Sequence, residues 1–384
     1  MARRALIERV VRELASYERP SASDGERRAA EWLAEELRAA GCRSVRVEEE
    51  RAHGGYWWPL GLLNALALLA SRLGRLPAAL AGAFAAAAVY DDVGGGRLWF
   101  RRRALPNRPT WNVVAEAGDP AGRRTVVFVS HHDAAHTGLV FHPALPRIAM
   151  ERAPALHEKA DQSLPIIYGV FLGPLLLALW GLTGRRPFKG MGIFFATGAV
   201  AAMADIGARR VVPGANDNLS AVAVNVALAH ALCEDPPEGV RVILLSTGSE
   251  ESFMEGMQAF GRRHFPQLPR ATTEFVCMEC VGSPRLCVVE AEGMLRMRSY
   301  DACSREALAA AGEAAGVPLQ RGLRTVAATD GLISLRAGYP TCTLGGVDET
   351  KFPANYHWPS DTPDNLTWES VEAAARVAEA YLRR

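Results

Sequence analysis

Hydrophobic and polar positions follow two alternating periods along most of the chain. Apolar residues spaced three and four apart predict two amphipathic helices, one from about Ala5 to Tyr17 and one that follows the turn residues 20–24 and ends at Ala40. Further helices are predicted near 219–233, 304–315 and 368–382. Short apolar runs between turn residues predict strands at 44–49, 97–101, 112–116, 125–130, 240–246, 273–278, 286–291 and 341–344. Strands interleaved with helices predict a three-layer α/β fold with a mixed, largely parallel central sheet.

Two stretches interrupt this alternation because they are almost free of charged residues. Residues 53–71 carry no charge, and a second uncharged run, 76–90, follows the basic residues Arg72 and Arg75. The arrangement is repeated by 163–184 and 190–204, which are separated by Arg185, Arg186 and Lys189. Each pair predicts a hydrophobic helical hairpin with a basic turn. We place the first hairpin at 53–95 and the second hairpin at 160–207.

The hairpins allow two interpretations. A membrane-spanning helix needs about 20 apolar residues, and 163–184 reaches that length whereas 76–90 and 190–204 are short. We expect the hairpins to associate with a membrane, and the alternative is burial of both in a cytoplasmic protein. If the charge of short loops sets the orientation, both basic turns lie in the cytoplasm and the remainder faces outward. If the lack of a signal peptide decides, the remainder stays inside.

Composition and charge exclude several classes of protein. The chain of 384 residues has 43 Lys+Arg against 42 Asp+Glu, and 49% of it is hydrophobic. It is therefore neither disordered nor basic enough to bind nucleic acid. The cysteines are scattered except for Cys277 and Cys280, so we expect no disulfide framework of a secreted protein. The oligomeric state stays open, a homo-oligomer included.

Acidic and imidazole side chains follow the predicted strands. His131 and Asp133 come after the strand 125–130 on one side of its pleat, where the imidazole can hold a metal and the carboxylate can orient it. His132 is a less favoured ligand, because it points the other way. Asp217 precedes a predicted helix and is either a carboxylate shared by two metals or a helix cap.

Two adjacent carboxylates, Glu250 and Glu251, come after the apolar strand 240–246. Such a pair is costly to hold together unless a cation or a proton offsets its charge. We therefore predict one metal ligand and one general base, and the alternative is a solvated loop.

Two further residues can complete an oxygen-rich site for two metals. Glu279 follows the strand 273–278, and His357 precedes the last helix. Asp361 and Asp364, which lie just beyond His357, are expected to cap turns.

Taken in order, these motifs resemble those of a known family. They are His131-His132-Asp133, Gly214-Ala-Asn-Asp217-Asn218, Glu250-Glu251, Glu279 and Tyr356-His357-Trp-Pro-Ser-Asp-Thr-Pro-Asp. The chain is similar to the co-catalytic zinc aminopeptidases of the bacterial leucyl aminopeptidase type, metallopeptidase family twenty-eight. The resemblance implies that 1–384 form a single zinc peptidase domain with a phosphorylase/hydrolase-like α/β fold. The two hydrophobic hairpins would be insertions in that domain.

The resemblance also implies a site for two zinc ions, although manganese or cobalt could occupy the same ligands. Asp217 would bridge the two ions. The remaining roles it implies are His131 and Glu279 as ligands of one metal, Glu251 and His357 as ligands of the other, Glu250 as the general base and Asp133 as the carboxylate behind His131.

The chain departs from the family pattern in three places. Glu279 stands where the family commonly has Asp. The second hairpin lies between His131 and Asp217, beside the predicted site, and can therefore form part of the substrate entrance. The segment around Asp330 resembles the family's Ser-Asp-His region without its histidine, so Asp330 is either a substrate-binding residue or a helix cap.

We expect a zinc-dependent exopeptidase, above all an aminopeptidase acting on peptides. The same ligands on similar folds also serve carboxypeptidases, deacylases and glutaminyl cyclases. A non-catalytic, membrane-associated binding domain of the same fold is the alternative from another class. It is disfavoured because a binding module has no reason to keep clustered carboxylates.

Overall fold

The structure is a computed structural model that describes residues 3–163, 165 and 167–384. Helices and strands alternate along the chain. The helices are α1 Arg3–Leu14, α2 Asp24–Ala39, α3 Trp57–Arg72, α4 Arg75–Val93, α5 Arg101–Ala104, α6 Ala144–Arg152, α7 Pro154–Lys159, α8 Tyr168–Thr183, α9 Arg186–Ala208, α10 Ser220–Glu234, α11 Glu255–His264, α12 Ala302–Ala314, α13 Gly331–Arg336 and α14 Trp368–Leu382. The strands are β1 Arg43–Ala52, β2 Arg108–Gly118, β3 Arg124–His131, β4 Val240–Thr247, β5 Thr273–Glu279, β6 Arg285–Glu292, β7 Arg298–Ser299, β8 Gln320–Thr325 and β9 Thr341–Val347.

The strands form one mixed sheet in the order β1-β2-β4-β3-β5-β9-β6-β7, with β8 paired to β6. The central strands β4, β3, β5 and β9 are parallel to one another. Antiparallel pairs flank them, β1 with β2 and β2 with β4 on one side, and β9 with β6 on the other. The predicted fold class, with its largely parallel centre, is confirmed.

Helices cover both faces of the sheet, because the side chains of each central strand alternate between two apolar layers. In β3, Val126 and Phe128 face the layer that contains α1, α2, α10 and α14. Val127 and Val129 face the layer formed by α11 and the two hairpins. The hairpins therefore share a core with the sheet.

One predicted strand is wrong. Residues 97–100 form a loop that leads into α5, which begins at Arg101, although the apolar run 98–100 is typical of a short strand. Asp91 accepts hydrogen bonds from the backbone N–H groups of Arg97 (2.8 Å) and Trp99 (2.9 Å), which holds the loop. Arg101 is fully buried and pairs with Asp92, 2.7 Å from Nη2 to Oδ2. A buried charged pair of this kind is set by tertiary contacts and leaves no periodic signal.

The two hairpins are helical and pack together as a bundle of α3, α4, α8 and α9. The contact between α4 and α8 depends on glycine. A Cβ added at Gly181 would lie 2.5 Å from the carbonyl oxygen of Arg75, and one added at Gly82 would lie 2.7 Å from the backbone nitrogen of Ala178. The two backbones approach closely only because these residues have no side chain. That the hairpins are insertions in the family's domain stays a prediction.

Two helices of the bundle, α4 and α9, are long and apolar enough to cross a membrane. This criterion concerns length and composition alone, and 44% and 28% of their most apolar segments are buried inside the protein. The described part of α8 is apolar but shorter. Membrane association therefore stays a prediction.

Candidate active site

The parallel centre of the sheet brings the predicted site residues to one edge. β3 ends at His131, β5 ends at Glu279, and the pair Glu250-Glu251 follows β4 by a short turn. Because these strands are parallel neighbours, their carboxyl ends lie side by side. Asp217 reaches the same edge from the turn before α10.

The carboxylate of Asp217 lies between the two imidazoles. Its Oδ1 is 3.2 Å from Nε2 of His131, and its Oδ2 is 3.2 Å from Nε2 of His357. Glu279 Oε1 lies 3.4 Å from His131 Nε2, and Glu251 Oε2 lies 3.1 Å from His357 Nε2. The structure thus brings all five predicted ligands together, in two sets that share Asp217.

The chemistry of these donors fits metal ions. The ligand atoms of His131, Asp217 and Glu251 lie within 4.8 Å of one another, as do those of Asp217, Glu279 and Cys280. Oε1 of Glu251 is buried and has no hydrogen-bond partner among the described residues. Carboxylates with imidazoles are ligands that zinc prefers. Two imidazoles with three carboxylates therefore form a candidate zinc site.

Cys280 lies beside this site without a predicted role. Its Sγ is 3.5 Å from Oε1 of Glu279. Burial raises the pKa of this thiol well above its ordinary value. Glu279 is kept as the candidate ligand because its Oε1 also lies 3.4 Å from Nε2 of His131.

Buried like charges dominate the electrostatics of the site. Burial raises the pKa of Glu250 well above its usual range and that of Glu279 to about 7. Burial also disfavours the ionised form of Asp217, but hydrogen bonds with both imidazoles hold its pKa well below the ordinary value. Burial lowers the pKa of His357, yet Glu251 and Asp217 outweigh it and raise that pKa to about 10. The site holds four carboxyl groups, those of Asp217, Glu250, Glu251 and Glu279, against two imidazoles. Divalent cations would offset this excess of acidic groups.

Glu250 lies apart from the two ligand sets. Its Oε2 is 3.9 Å from Nε2 of His131, farther than the carboxylate oxygens of Asp217 and Glu279. A carboxylate beside a metal site and outside its ligands can act as a general base.

Asp133 orients both His131 and the loop that carries Glu250. Its Oδ1 lies 3.3 Å from Nδ1 of His131 and accepts the backbone N–H of Glu250 at 3.1 Å. Its Oδ2 accepts the N–H of Glu251 at 3.1 Å and the hydroxyl of Ser21 at 2.7 Å. A contact at Nδ1 leaves Nε2 to face the site.

Arg19, which the sequence analysis did not single out, ties two ligand-bearing loops together. Its buried guanidinium donates to the carbonyls of His132 (2.8 Å), Pro213 (2.7 Å) and Gly214 (2.9 Å). Gly214 has a φ of +60°, and a Cβ there would lie 2.6 Å from Nη2 of Arg19. Glycine is therefore required at this turn for both its conformation and its size.

Glu26, also missed, supports the loop before Glu250. Its Oε2 accepts the backbone N–H and the hydroxyl of Ser249, both at 3.0 Å. Its Oε1 accepts the hydroxyl of Thr110 (2.6 Å) and the N–H of Trp111 (3.0 Å). Burial raises its pKa to about 8. The sequence held one signal of this burial, because Glu26 lies on the apolar stripe of α2, four residues before Ala30.

The contacts of His132 and Asp361 show what each of these two side chains does. Nδ1 of His132 lies 3.0 Å from the hydroxyl of Ser246 rather than among the ligands. Asp361 caps the turn before α10, as predicted, by accepting the N–H groups of Asn216 (2.6 Å) and Asp217 (3.1 Å).

Two predicted caps differ in the structure. Asp330 stands at the N-cap position of α13, but its side chain makes no capping bond and accepts from the hydroxyl of Thr247 instead. It is buried and is not among the residues that line the cavity, so a substrate-binding role stays a prediction. Asp364 lies on the surface, 3.0 Å from Arg12, so its carboxylate forms an ion pair.

A cavity of about 740 Å³ opens over the ligand sets. Asp217, Glu250, Glu251, Glu279 and His357 line its polar end. Residues of the second hairpin line much of the rest. The predicted place of this hairpin beside the substrate entrance agrees with this geometry.

One comparison finds a family model that matches the C-terminal part of the chain. Residues 197–382 match the family model described as Peptidase family M28. This segment, somewhat less than half of the chain, is similar to that family. The match includes Asp217, Glu250, Glu251, Glu279 and His357, whereas His131 and Asp133 lie outside it and are linked to the site by the structure.

Solved structures share the fold over the whole chain. An aminopeptidase from Aneurinibacillus sp. strain AM-1 is 13% identical with a TM-score of 0.58, over 98% of this chain and 92% of the other. A Tannerella forsythia glutaminyl cyclase is 15% identical with a TM-score of 0.58, over 100% and 97%. A Zn-dependent exopeptidase from Parabacteroides distasonis is 13% identical with a TM-score of 0.57, over 100% and 97%. No curated protein sequence matches the chain.

The match of residues 197–382 to the M28 family supports a hydrolase of the peptidase class that binds zinc. The structural relatives include both exopeptidases and glutaminyl cyclases, and at these identities they establish the fold alone. They do not distinguish between the two reactions.

Proposed function

We propose that this chain is a zinc-dependent aminopeptidase that hydrolyses N-terminal residues from peptides. The observation that carries the proposal is the position of Asp217 between His131 and His357 while Glu250 stays outside both ligand sets. A non-catalytic protein would gain nothing from a free carboxylate at this place, because burying it costs stability.

The two ligand sets would each hold one zinc ion. His131, Asp217 and Glu279 form one set, and His357, Asp217 and Glu251 form the other. Zinc bound there would supply Lewis acidity, which polarises the scissile carbonyl and acidifies water.

Glu250 carries the proton transfer in this proposal. Its carboxylate takes a proton from the attacking water and gives it to the nitrogen of the leaving amine. Asp133 keeps Nε2 of His131 facing the site and, through the N–H groups of Glu250 and Glu251, keeps the base in place. Glu26 holds the same loop from below through Ser249.

The test compares two neighbouring carboxylates. Glu250→Gln should lower kcat by about 10²- to 10⁴-fold, because the proton acceptor is lost, while the zinc content stays at the wild-type level. Glu251→Gln should lower both kcat and the zinc content, because a metal ligand is lost. Zinc is measured by atomic absorption, and activity is measured on leucyl and alanyl peptides with and without a chelator.

Other outcomes would select a different function. Full activity of Glu250→Gln would contradict its role as base. Release of ammonia from a peptide with N-terminal glutamine, without peptide hydrolysis, would instead favour a glutaminyl cyclase. Hydrolysis of N-blocked substrates alone would favour a deacylase or a carboxypeptidase. A protein that binds no zinc would support the binding domain.

We further propose that the end of the bundle where both hairpins turn contacts an anionic membrane surface. Arg75 of α4 donates to the carbonyls of Gly181 (3.2 Å) and Leu182 (3.0 Å) at the end of α8, so both turns lie together. This end gathers five basic residues, Arg72, Arg75, Arg185, Arg186 and Lys189. Exposed leucines surround them, among them Leu73, Leu76 and Leu182. Cations among exposed apolar side chains suit an anionic lipid surface.

A further inference from the structure

One face of α9 lines the cavity over the ligand sets. The lining residues Phe195, Ala199, Ala202 and Ile206 recur at helical spacing, and Gly198 lies in the same stripe. These five residues carry no polar side chain, and Thr197 is the polar residue of α9 that also lines the cavity. The second hairpin therefore supplies a continuous apolar wall that begins next to the polar end.

The opposite wall is also mostly apolar. It consists of side chains from β6, β8, the residue after β8, β9 and the loop before His357, namely Val289, Leu323, Val326, Val347, Phe352 and Pro353. The wall includes two basic residues whose charged groups bind other residues of the protein. Arg324 pairs with Asp161, 2.5 Å from Nη2 to Oδ2, and Lys351 donates to the carbonyls of His157 (2.5 Å) and Ala160 (2.6 Å).

The segment before α8 is fixed to the sheet, which holds this wall in place. Arg324 of β8 donates its N–H to the carbonyl of Asp161 at 2.7 Å, and Ser163 donates its N–H back to the carbonyl of Arg324 at 3.2 Å. The hydroxyl of Ser163 also accepts the N–H of Val326 at 2.9 Å.

We infer that this cavity binds a long alkyl chain attached to the acyl half of the scissile amide. A volume of about 740 Å³ is in the range that encloses a whole drug-sized ligand, far more than one amino-acid side chain requires. Predominantly apolar walls favour an alkyl chain, because the apolar surface of both partners leaves water. The two cations in the wall are held by Asp161 and by backbone carbonyls, although Nε of Arg324 has no hydrogen-bond partner among the described residues. The inference rests on the proposed hydrolysis and names its substrate class.

The reaction remains an ordinary amide hydrolysis. The C–N bond breaks, the hydroxyl of water goes to the acyl carbon, and the remaining proton goes to the amine through Glu250. The chain can come from two sources, a fatty N-acyl group or a long side chain on an N-terminal residue with a free amine. Both present the same alkyl group on the acyl side.

Gly198 allows the cavity to be filled without disturbing its surroundings. A Cβ added there meets no atom within 4 Å. The same holds for Gly190 in the same helix, which does not line the cavity. Gly198→Phe therefore narrows the cavity, and Gly190→Phe is the matched control.

The experiment measures kcat/KM of the zinc-loaded protein with two substrate series. One series is acetyl-, octanoyl- and dodecanoyl-amino acids, and the other is anilides of alanine, leucine and 2-aminododecanoic acid. In at least one series kcat/KM should rise about tenfold or more from the shortest to the longest member, because each buried methylene adds affinity. The series that rises identifies the source of the chain. Gly198→Phe should abolish the rise, and Gly190→Phe should keep it.

The inference is overturned if both series are flat or fall with chain length, or if both variants behave alike. If no amide is hydrolysed, the proposed function fails and the cavity is judged by binding alone. Dansyl-undecanoic acid is then titrated into each zinc-loaded protein, and Gly198→Phe should raise its Kd at least about fivefold over Gly190→Phe. Equal Kd values would overturn the cavity assignment.

Discussion

The ligand-bearing edge of the sheet and the four-helix bundle are held together by opposite means. At the edge, buried charged side chains bind several backbone groups each, as Arg19 does with three loop carbonyls and Asp133 with two loop N–H groups. In the bundle, Gly82 and Gly181 let helices touch through their backbones. The edge positions atoms precisely, because hydrogen bonds are directional. The bundle supplies an apolar surface, and close packing shapes it without the need for hydrogen bonds between side chains.

This contrast predicts how each region fails. A buried charged group that is removed leaves all its partners without a hydrogen bond, and each unpaired group costs stability. A glycine that gains a methyl group in a close contact forces backbones apart. An exposed leucine that is lost changes neither packing nor hydrogen bonding. Three substitutions test these expectations in decreasing order of effect.

The largest effect is expected for Arg19→Met. The substitution leaves buried carbonyls of His132, Pro213 and Gly214 unpaired, which should lower the free energy of unfolding by about 3–5 kcal/mol. Urea unfolding measures it. Arg12→Met, which removes a surface pair with Asp364, is the control and should change stability by less than about 1 kcal/mol. An equal loss of unfolding free energy in both variants would show that the hydrogen bonds of Arg19 do not stabilise these loops.

An intermediate effect is expected for Gly181→Ala. The new methyl group would meet the backbone of Arg75, which should destabilise the protein by about 1–3 kcal/mol despite the better helix propensity of alanine. Gly190→Ala is the control, since its methyl group meets nothing, and it should be stabilising by about 1 kcal/mol or less. Thermal unfolding compares the two. A stabilised Gly181→Ala would mean that the helices do not approach as described.

The smallest effect on stability is expected for Leu76→Ser at the basic end of the bundle. The side chain is largely exposed, so the free energy of unfolding should change by no more than about 0.5 kcal/mol. If the proposed membrane contact is real, affinity for vesicles containing phosphatidylserine should fall about threefold or more. Leu156→Ser is the control, because Leu156 is equally exposed, 70% in both cases, and lies outside the bundle on α7. The same affinity in both variants would contradict the contact.

The sequence alone predicted the fold class and the residues that converge at the site. His131, Glu251 and Glu279 could be found because each follows an apolar strand and carries metal-binding chemistry. Arg19 and Glu26 could not be assigned a role from their neighbours in the chain. Their importance comes from loops about one hundred to two hundred residues away, and only folding brings these together.

The local pattern also failed where a tertiary contact replaced it. Residues 98–100 are an apolar run like that of a short strand, yet Asp91 and the buried pair of Asp92 with Arg101 hold this segment as a loop that enters α5. The hairpins were predicted from their lack of charge, and that lack could not say what they pack against.

By itself, the sequence determined which residue types stand at the ends of the central strands, because apolar runs and turn residues are local properties that indicate where strands end and loops begin. Only the tertiary structure decided that Asp217 faces both imidazoles, that Arg19 and Glu26 support the loops beneath them, and that α9 becomes one wall of the cavity. These relations depend on distances between segments far apart in the chain. Such distances arise from the packing of the whole core and have no signature in any one segment.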